Sequence, residues 1–401
     1  MRKILIASGI FFVLFFYGLI LSQTRLSAIS EELDPKNPPG FYDYRGISNV
    51  HSDRGMGSGS TLDVIRAAQE ANLDYLILTD LNAFEDSVVP DSYHRKLLFM
   101  TGNESSYLES RVLLYDIAKT HSLEGHGQAQ LLIADLLSQS PKETKEEFVV
   151  LAHPTKPGYT WNGTYPSGLD GIEVLNLKSL WRKAWDANKI SFLWSAIVYP
   201  FNSDLALIRL YDEPKEELDL WDQLSTKRHT IGMAGAEATA KTSPIGDAYL
   251  RFPSYQTSFS FVTNHVLLKS ELTGEADGDR RKILTALRDG QFYMSLDVLG
   301  NPKGFSTYIS QGDQMIPLGS TVKLVPGMKV NIRLPSRPKG SFEAVLFRDG
   351  QRVGTFGQVE ATFEIKEPGV YRVIVRTFRN FMLPDGNRWI TWIYTNPFYV
   401  H

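Results

Sequence analysis

Between about residues 44 and 300, short apolar runs alternate with stretches whose apolar residues recur at helical spacing. The runs are "LDYLILTD" (Leu73–Asp80), "LLFMTGNE" (Leu97–Glu104), "FVVLAHP" (Phe148–Pro154), "GIEVLNL" (Gly171–Leu177) and "TIGMAGAE" (Thr230–Glu237). Runs this compact are typical of strands buried on both faces. Between them, "TLDVIRAAQEAN" (Thr61–Asn72) predicts a helix with Thr61 as its cap. "QLLIADLLSQ" (Gln130–Gln139) and the Trp-rich segment Leu180–Trp194 predict further helices, and "DRRKILTALRDGQFYM" (Asp279–Met294) predicts a helix stopped at Gly290 and followed by a strand. This alternation predicts an α/β fold, either a parallel barrel or a doubly wound sheet. Asp80, Glu104, His153, Asn176 and Glu237 each close an apolar run, and in a barrel such strand ends meet at one mouth. A doubly wound sheet calls for a Gly-rich phosphate loop after its first strand, for which "GMGSG" (Gly55–Gly59) is a weak match. The barrel is preferred.

After about residue 305 the period falls to two. "STVKLVPGMKVNIRLP", "FEAVLFRDGQRVG", "ATFEIKEPGVYRVIVRTF" and "RWITWIYTNPFYV" are separated by turn signals such as Asp349-Gly350 and Pro368-Gly369. They predict a small antiparallel β-sandwich. At the other end, Ile4–Leu21 is an unbroken apolar stretch behind Arg2 and Lys3. Its length matches a bilayer-crossing helix, and the leading charges favour a cytoplasmic N-terminus. An uncleaved anchor is preferred to a cleaved signal peptide, because "SQTRLSAIS" offers no clear A-x-A site. Either way the rest of the chain is expected outside the cytoplasm, periplasmic or extracellular, and secreted if the N-terminus is cleaved. The expected division is 1–24 anchor or signal peptide, 25–43 linker containing "EELDPKNPPG", 44–304 barrel, and 305–401 β-sandwich.

Composition removes several function classes. A net charge of -3 over 401 residues does not suit a nucleic-acid-coating surface, and no nucleic-acid partner is expected. Cysteine is absent, so disulfides, zinc–thiolate sites and cysteine nucleophiles are excluded. A metal would have to be held by imidazole or oxygen. No Gly-x-Ser-x-Gly elbow is present.

The stretch Gly46–Phe84, "GISNVHSDRGMGSGSTLDVIRAAQEANLDYLILTDLNAF", resembles the opening of a PHP (polymerase and histidinol phosphatase) domain. The resemblance continues through "GNESS", "LAHPTKPG", "GLDGIEVLN", "GAEATA" and "ILTALRDGQFYMS", and ends in "WIYTNPFYV", similar to the β-domain of some bacterial members. It implies a distorted seven-stranded (β/α) barrel with phosphoesterase chemistry supported by up to three divalent metals at the mouth. Carried over by position, the first histidine of the family's His-x-His falls on Asn49 and the second on His51. The acid of the Ser/Gly turn falls on Met56, with Asp53 nearby, and "TDHN" has become "TDLN", placing Leu81 where an imidazole belongs. The family glutamate is Glu104, a later histidine is replaced by Arg111, and the "AHP" histidine is His153. The closing "SDAH" reads Ala236-Glu237-Ala238-Thr239.

These replacements bear on the chemistry. Asn49 offers a neutral amide oxygen, suited to Mg²⁺, Ca²⁺ or Mn²⁺ more than to Zn²⁺. Leu81 has no lone pair, Thr239 is a weak substitute, and Glu237 is one carbon longer than the family aspartate. The resemblance therefore implies at most one divalent ion (Mg²⁺, Mn²⁺ or Zn²⁺) held by His51, Glu104, His153 and Glu237, and no three-metal cluster. Arg111 brings fixed positive charge to a place where the family has a metal ligand, and such a group can hold phosphate or carboxylate.

Each of these residues also has a structural reading. His51 can be a hydrogen-bonded core histidine, and Glu104 can cap a helix or pair with Arg111. Asp80 can brace the mouth, while Glu173 and Asn176 can stabilise strand ends. Trp181, Trp185 and Trp194 read as core or interface, and His121 and His126 as surface residues. The leading expectation is an extracytoplasmic binding or scaffolding protein without the ancestral hydrolysis, taking a small anionic ligand or an envelope-protein partner. The alternative is a single-metal phosphoesterase.

Overall fold

The computed structural model describes the whole chain apart from residues 1, 30–35, 83–88, 109, 117–132, 134, 136, 139–145, 246–247 and 382–384. The fold is mixed α/β, with a large sheet and eight α-helices among the described residues. The barrel is built from β1 (Tyr42–Val50), β2 (Tyr75–Leu78), β3 (Ser92–His94), β4 (Leu97–Thr101), β5 (Asn103–Ser106), β6 (Arg111–Tyr115), β7 (Phe148–Ala152), β8 (Gly171–Asn176) and β9 (Ile231–Ala238). β1 pairs in parallel with β2 on one side and β9 on the other. β2 continues in parallel to β4, which runs through Gly102 into β5, while β3 pairs antiparallel with β4. β6 is antiparallel to both neighbours, β5 and β7, and parallel pairs β7–β8 and β8–β9 close the ring. The ring itself has seven staves, with β4 and β5 counted as one. β6 was not anticipated by the sequence pattern, and its reversed direction matters for the site.

Helix α1 spans Arg2–Ser22 and α2 spans Thr61–Glu70. The predicted helix after β1 forms, but its cap is Ser60 and not Thr61. The Ser60 side chain accepts the Asp63 N–H while the Asp63 carboxylate accepts the Ser60 N–H, a reciprocal capping box. Thr61 is instead the first helical residue and is buried. Four further helices precede β9: α3 (Leu177–Ala187), α4 (Lys189–Val198), α5 (Ser203–Ile208) and α6 (Lys215–Ser225). The helix predicted over Gln130–Gln139 lies largely outside the described residues; those described there, Ile133, Asp135, Leu137 and Ser138, are helical. Among the described residues, no helix is long and apolar enough to cross a membrane.

Beyond β9, β10 (Thr242–Ile245) and β11 (Ala248–Leu250) form a hairpin, followed by α7 (Tyr255–Phe261). β12 (Thr263–Leu268) adds antiparallel to β1, and α8 (Ala276–Arg288) leads to β13 (Phe292–Ser295), which pairs with β12. The C-terminal region contributes β14 (Ser306–Gln311), β15 (Gln314–Ile316), β16 (Thr321–Val322), β17 (Lys329–Arg333), β18 (Phe342–Arg348), β19 (Gln351–Phe356), β20 (Glu360–Glu364), β21 (Gly369–Asn380), β22 (Asn387–Thr395) and β23 (Phe398–Val400). β15-β14-β17-β20 form a separate antiparallel sheet, whereas β22 pairs with β13 and joins β21, β18 and β19 to the barrel's strands. Asp349 and Gly350, both at positive φ, make the two-residue β18–β19 turn that the sequence announces.

A buried ionic cluster sits where β1, β12 and β13 meet. His265 Nδ1 lies 2.8 Å from Asp43 Oδ1 and Nε2 lies 3.3 Å from Asp297 Oδ1, all nearly inaccessible to solvent. The Tyr293 ring stacks on His265 at 4.7 Å, its hydroxyl donates to Asp43 at 2.7 Å, and Arg45 pairs with Asp297. Burial opposes the charge on His265, yet the two carboxylates raise its pKa from 6.5 to about 9. A histidine raised in the folded state stabilises fully below its unfolded pKa, and that stabilisation is lost as pH rises through about 9. Thermal melts of the full chain and of His265→Gln at pH 6 to 10 check this: wild type loses melting temperature across the range, and the variant, lower at the start, loses much less.

Candidate functional site

The C-terminal ends of the parallel strands and the first residue of β6 meet at one mouth. β1 delivers His51, β7 delivers His153 and β9 delivers Glu237, while Glu104 stands in β5. Because β6 runs the other way, its first residue, Arg111, lies at the mouth beside the end of β7, with Ala152 as its pairing partner. Asn49, His153 and Glu237 all adopt positive φ (56°, 51° and 41°), and register shifts interrupt β1–β9 and β8–β9 beside them. Non-glycine residues in the left-handed region and strand irregularities concentrate where side chains are re-aimed for function.

Four predicted residues converge. His51 Nε2 is 3.3 Å from Glu104 Oε2, His153 Nε2 is 3.8 Å from Glu104 Oε1, and His153 Nε2 is 3.6 Å from Glu237 Oε1. All four are at most 3% exposed. His51 Nε2, His153 Nε2, both Glu104 oxygens and Glu237 Oε2 have no hydrogen-bond partner. Two cations stand against the carboxylates. Arg111 Nη1 is 3.5 Å from Glu104 Oε1, and Lys178 Nζ, from the first turn of α3, is 3.5 Å from Glu237 Oε1. The Arg111 guanidinium also lies 4.9 Å over the Tyr159 ring, with Nη2 donating to its hydroxyl at 3.3 Å. Lys156 stacks on the same ring at 4.8 Å. Met56, which stands where the resemblance expects an acid, contacts Arg111 through its sulfur at 4.0 Å.

The remaining predicted residues surround this cluster. Asn49 donates to Glu173 at 2.7 Å, and Asn176 donates to the other Glu173 oxygen at 3.0 Å, so Glu173 is held from both sides. Asn49 Oδ1 has no partner. Asn176 also caps α3 by accepting the Ser179 N–H. Asp80 accepts the backbone N–H and hydroxyl of Ser52, both at 2.5 Å, and so braces the end of β1. Thr239 donates to Lys241 O at 3.4 Å, away from the imidazoles. Asp53 is exposed, with its N–H given to Gly59 O, and no contact ties it to the cluster.

Sequence reasoning missed several neighbours. Lys178, Lys156 and Tyr159 belong to no expected ligand position, and Ser179 holds His153 Nδ1 at 3.0 Å. Tyr255 ties three segments together: its hydroxyl donates toward His51 O at 2.7 Å or Thr239 O at 3.2 Å and accepts the Ser58 and Gly59 N–H groups. The "GMGSG" turn is no phosphate cradle. Gly55 and Gly57 give their N–H groups to Ser52 O, Ser58 gives its own to Thr239 O, and a Cβ on Gly57 would sit 2.1 Å from His51 O. Its glycines serve close packing beneath His51.

Charge in the pocket follows from burial. Desolvation lowers His51 to about 3 and His153 to about 4, so both are neutral near pH 7. It raises Glu104 to about 8 against the pull of Arg111, and Glu173 to about 7 against the hydrogen bond from Asn49. Burial acts on Glu237 too, but the charges of His153, Lys178 and Lys156 bring it down to about 2. His153 contributes to this only while protonated, so near pH 7 Lys178 and Lys156 lower Glu237 in the same direction but by less. Near neutral pH the fixed cations Arg111, Lys178 and Lys156 thus outnumber the ionised carboxylates.

A buried carboxyl group whose two oxygens accept no hydrogen bond costs stability, even with Arg111 at ion-pair distance. Glu104→Gln, whose amide can donate to His51 Nε2, is expected to raise the melting temperature of the ligand-free, chelator-treated chain by several degrees. Differential scanning calorimetry at pH 8 checks it; an unchanged or lower value shows that Glu104 is already satisfied.

No family model matches this chain, and no curated protein matches it. Among solved structures it is similar to a two-domain protein containing a predicted PHP-like metal-dependent phosphoesterase from Bacteroides vulgatus. Identity is 13%, covering 92% of this chain and 99% of that one, with a TM-score of 0.40. It is also similar to PsfC from Pseudomonas syringae, at 12% identity over 59% of this chain and 87% of that one, with a TM-score of 0.36.

Proposed function

We propose that this chain is a divergent PHP-like protein whose barrel mouth binds a small anion, a phosphate or phosphate ester, without the multi-metal hydrolysis of the family. The observation that carries this reading is the pair of contacts that set Arg111 and Lys178 against Glu104 and Glu237. Fixed cations here supply the charge that a metal cluster would otherwise bring. Arg111 presents a planar fork, pre-oriented by Tyr159, which suits a phosphate oxygen pair. Near neutral pH the ionised Glu237 partly neutralises these cations while Glu104, raised to about 8, is largely protonated, so an incoming anion competes chiefly with Glu237 for them. We place the protein outside the cytoplasm at a membrane, with a small anionic ligand or an envelope protein as partner and no nucleic acid.

A second reading is favoured by one observation. Unpartnered atoms of His51, His153, Glu104 and Glu237, with Asn49 Oδ1 nearby, are imidazole and oxygen donors of the kinds that a divalent cation takes. In this reading the mouth holds one ion and not three. Leu81 has no donor atom, Glu173 is occupied by Asn49 and Asn176, and Asp80 is occupied by Ser52. Among the described residues, no group of three or more of these side chains forms a ready-made metal site. Such an ion, when bound, supplies charge neutralisation and water activation. This chain's own part is to keep both imidazoles neutral and to orient His153 through Ser179.

Thermal shift and turnover assays on the full chain separate the two. Stabilisation by inorganic phosphate in the presence of chelator, with no hydrolysis of a generic phosphoester in Mn²⁺, supports anion binding. Mn²⁺-dependent turnover that disappears in His153→Ala supports the single-metal enzyme and defeats the first reading.

A further inference from the structure

We propose that helix α4 is a lipid-facing helix that lays the barrel against a bilayer surface beside α1. A surface helix in water turns its apolar stripe inward. α4, "KISFLWSAIV", does the reverse: Ile190, Leu193 and Ile197 are 81%, 56% and 45% exposed, and their spacing puts them on one face. One of its two buried positions is Ser195, whose hydroxyl has no partner. After Lys189 the helix carries no charge.

The outward stripe continues into a second apolar surface. Tyr17 of α1 packs on Trp194 at 5.8 Å, Phe15 meets Phe201 at 6.3 Å, and the Phe201 ring lies against Gly18. Of sixteen exposed large apolar side chains among the described residues, ten lie on α1 and three on α4. The occupant is lipid and not a second protein surface because of how α1 is exposed. Ile10, Phe11, Phe12 and Val13 are consecutive and all exposed, so the helix shows apolar groups around most of its circumference. A partner protein covers one face of a helix, whereas lipid covers every face. Trp185, with Lys189 over its ring at 5.6 Å, and Trp194 supply the aromatic and basic groups that collect at the water–lipid boundary. Docking needs only contact with lipid, not a complete crossing. Since α4 follows α3 across the single residue Asn188, and α3 is capped by Asn176 and carries Lys178, seating α4 also constrains how the mouth faces the bilayer.

The chain has no cysteine, so single probes can be placed in the full-length protein. Ile190→Cys and Leu193→Cys, each carrying an environment-sensitive fluorophore, are mixed with vesicles of phosphatidylcholine and phosphatidylglycerol. Leu62→Cys, on an exposed position of α2, is the control. The expected result is a blue shift and quenching by brominated lipid at both α4 positions and neither at Leu62. Three results overturn the proposal. The first is unchanged α4 probes with a shift at an Ile10→Cys probe, so that α1 alone meets lipid. The second is no response from any probe. The third is a shift of the α4 probes with protein concentration in vesicle-free buffer, so that a second copy covers the stripe.

Discussion

Arg111→Ala abolishes the rise in melting temperature that inorganic phosphate produces in the full chain. Phosphate at a hundred times its dissociation constant stabilises a folded protein by about 2.7 kcal/mol, and the variant should lose essentially all of that increment. Arg111 is anchored by β6, stacked on Tyr159 and only 11% exposed at its side chain. Its fork therefore binds with little further ordering cost. Arg111→Lys should recover a fraction of the increment, since it restores charge but neither the fork nor the planar stack. The increment, not the absolute melting temperature, is the readout, because Arg111 also faces Glu104. A full phosphate response in Arg111→Ala would remove the proposed binding role.

Trp221→Ala lowers unfolding free energy by about 3–5 kcal/mol, the usual cost of emptying a large buried aromatic site. Trp221, on α6, is fully buried and donates its indole N–H to Thr230 O at 2.9 Å. Its ring fills the space beside Gly232 of β9, where a Cβ would lie 2.6 Å away. Its neighbour Asp222 accepts both arms of Arg372 from β21, at 2.7 and 2.6 Å, and that guanidinium rests 5.7 Å from the Trp221 ring. The residue thus links the C-terminal sheet to the strand that presents Glu237. Urea titration checks the loss; a cost under about 1 kcal/mol would mean that the site collapses without a cavity.

Much of the barrel was legible because strands buried on both faces show as compact apolar runs. Glu104, His153 and Glu237 were placed by the ends of those runs and His51 by the resemblance of its motif, and the structure brings the four together through contacts of 3.3 to 3.8 Å. β6 was not legible. "RVLLY" is short and follows closely on β5, and nothing local announces that it runs backwards. That reversal puts Arg111, a first residue, at a mouth otherwise built from last residues. Lys178 was not legible for a related reason: it lies in a helix's first turn, beyond the strand end that the apolar pattern marks. On a regular strand Asn49 and His51, as i and i+2, would point one way. Instead, Asn49 takes positive φ beside a register shift and binds Glu173. The ionic cluster at His265 left no mark because its members, Asp43, His265 and Asp297, come from three distant segments.

The central claim is that side-chain cations, not a metal cluster, give this mouth its affinity. Calorimetric titration of inorganic phosphate into the full chain, with metal content counted in the same sample before and after chelation, tests it directly. The expected result is no more than one divalent ion per chain and phosphate binding that survives its removal. Two or more tightly held ions, with binding lost when they are stripped, would contradict it.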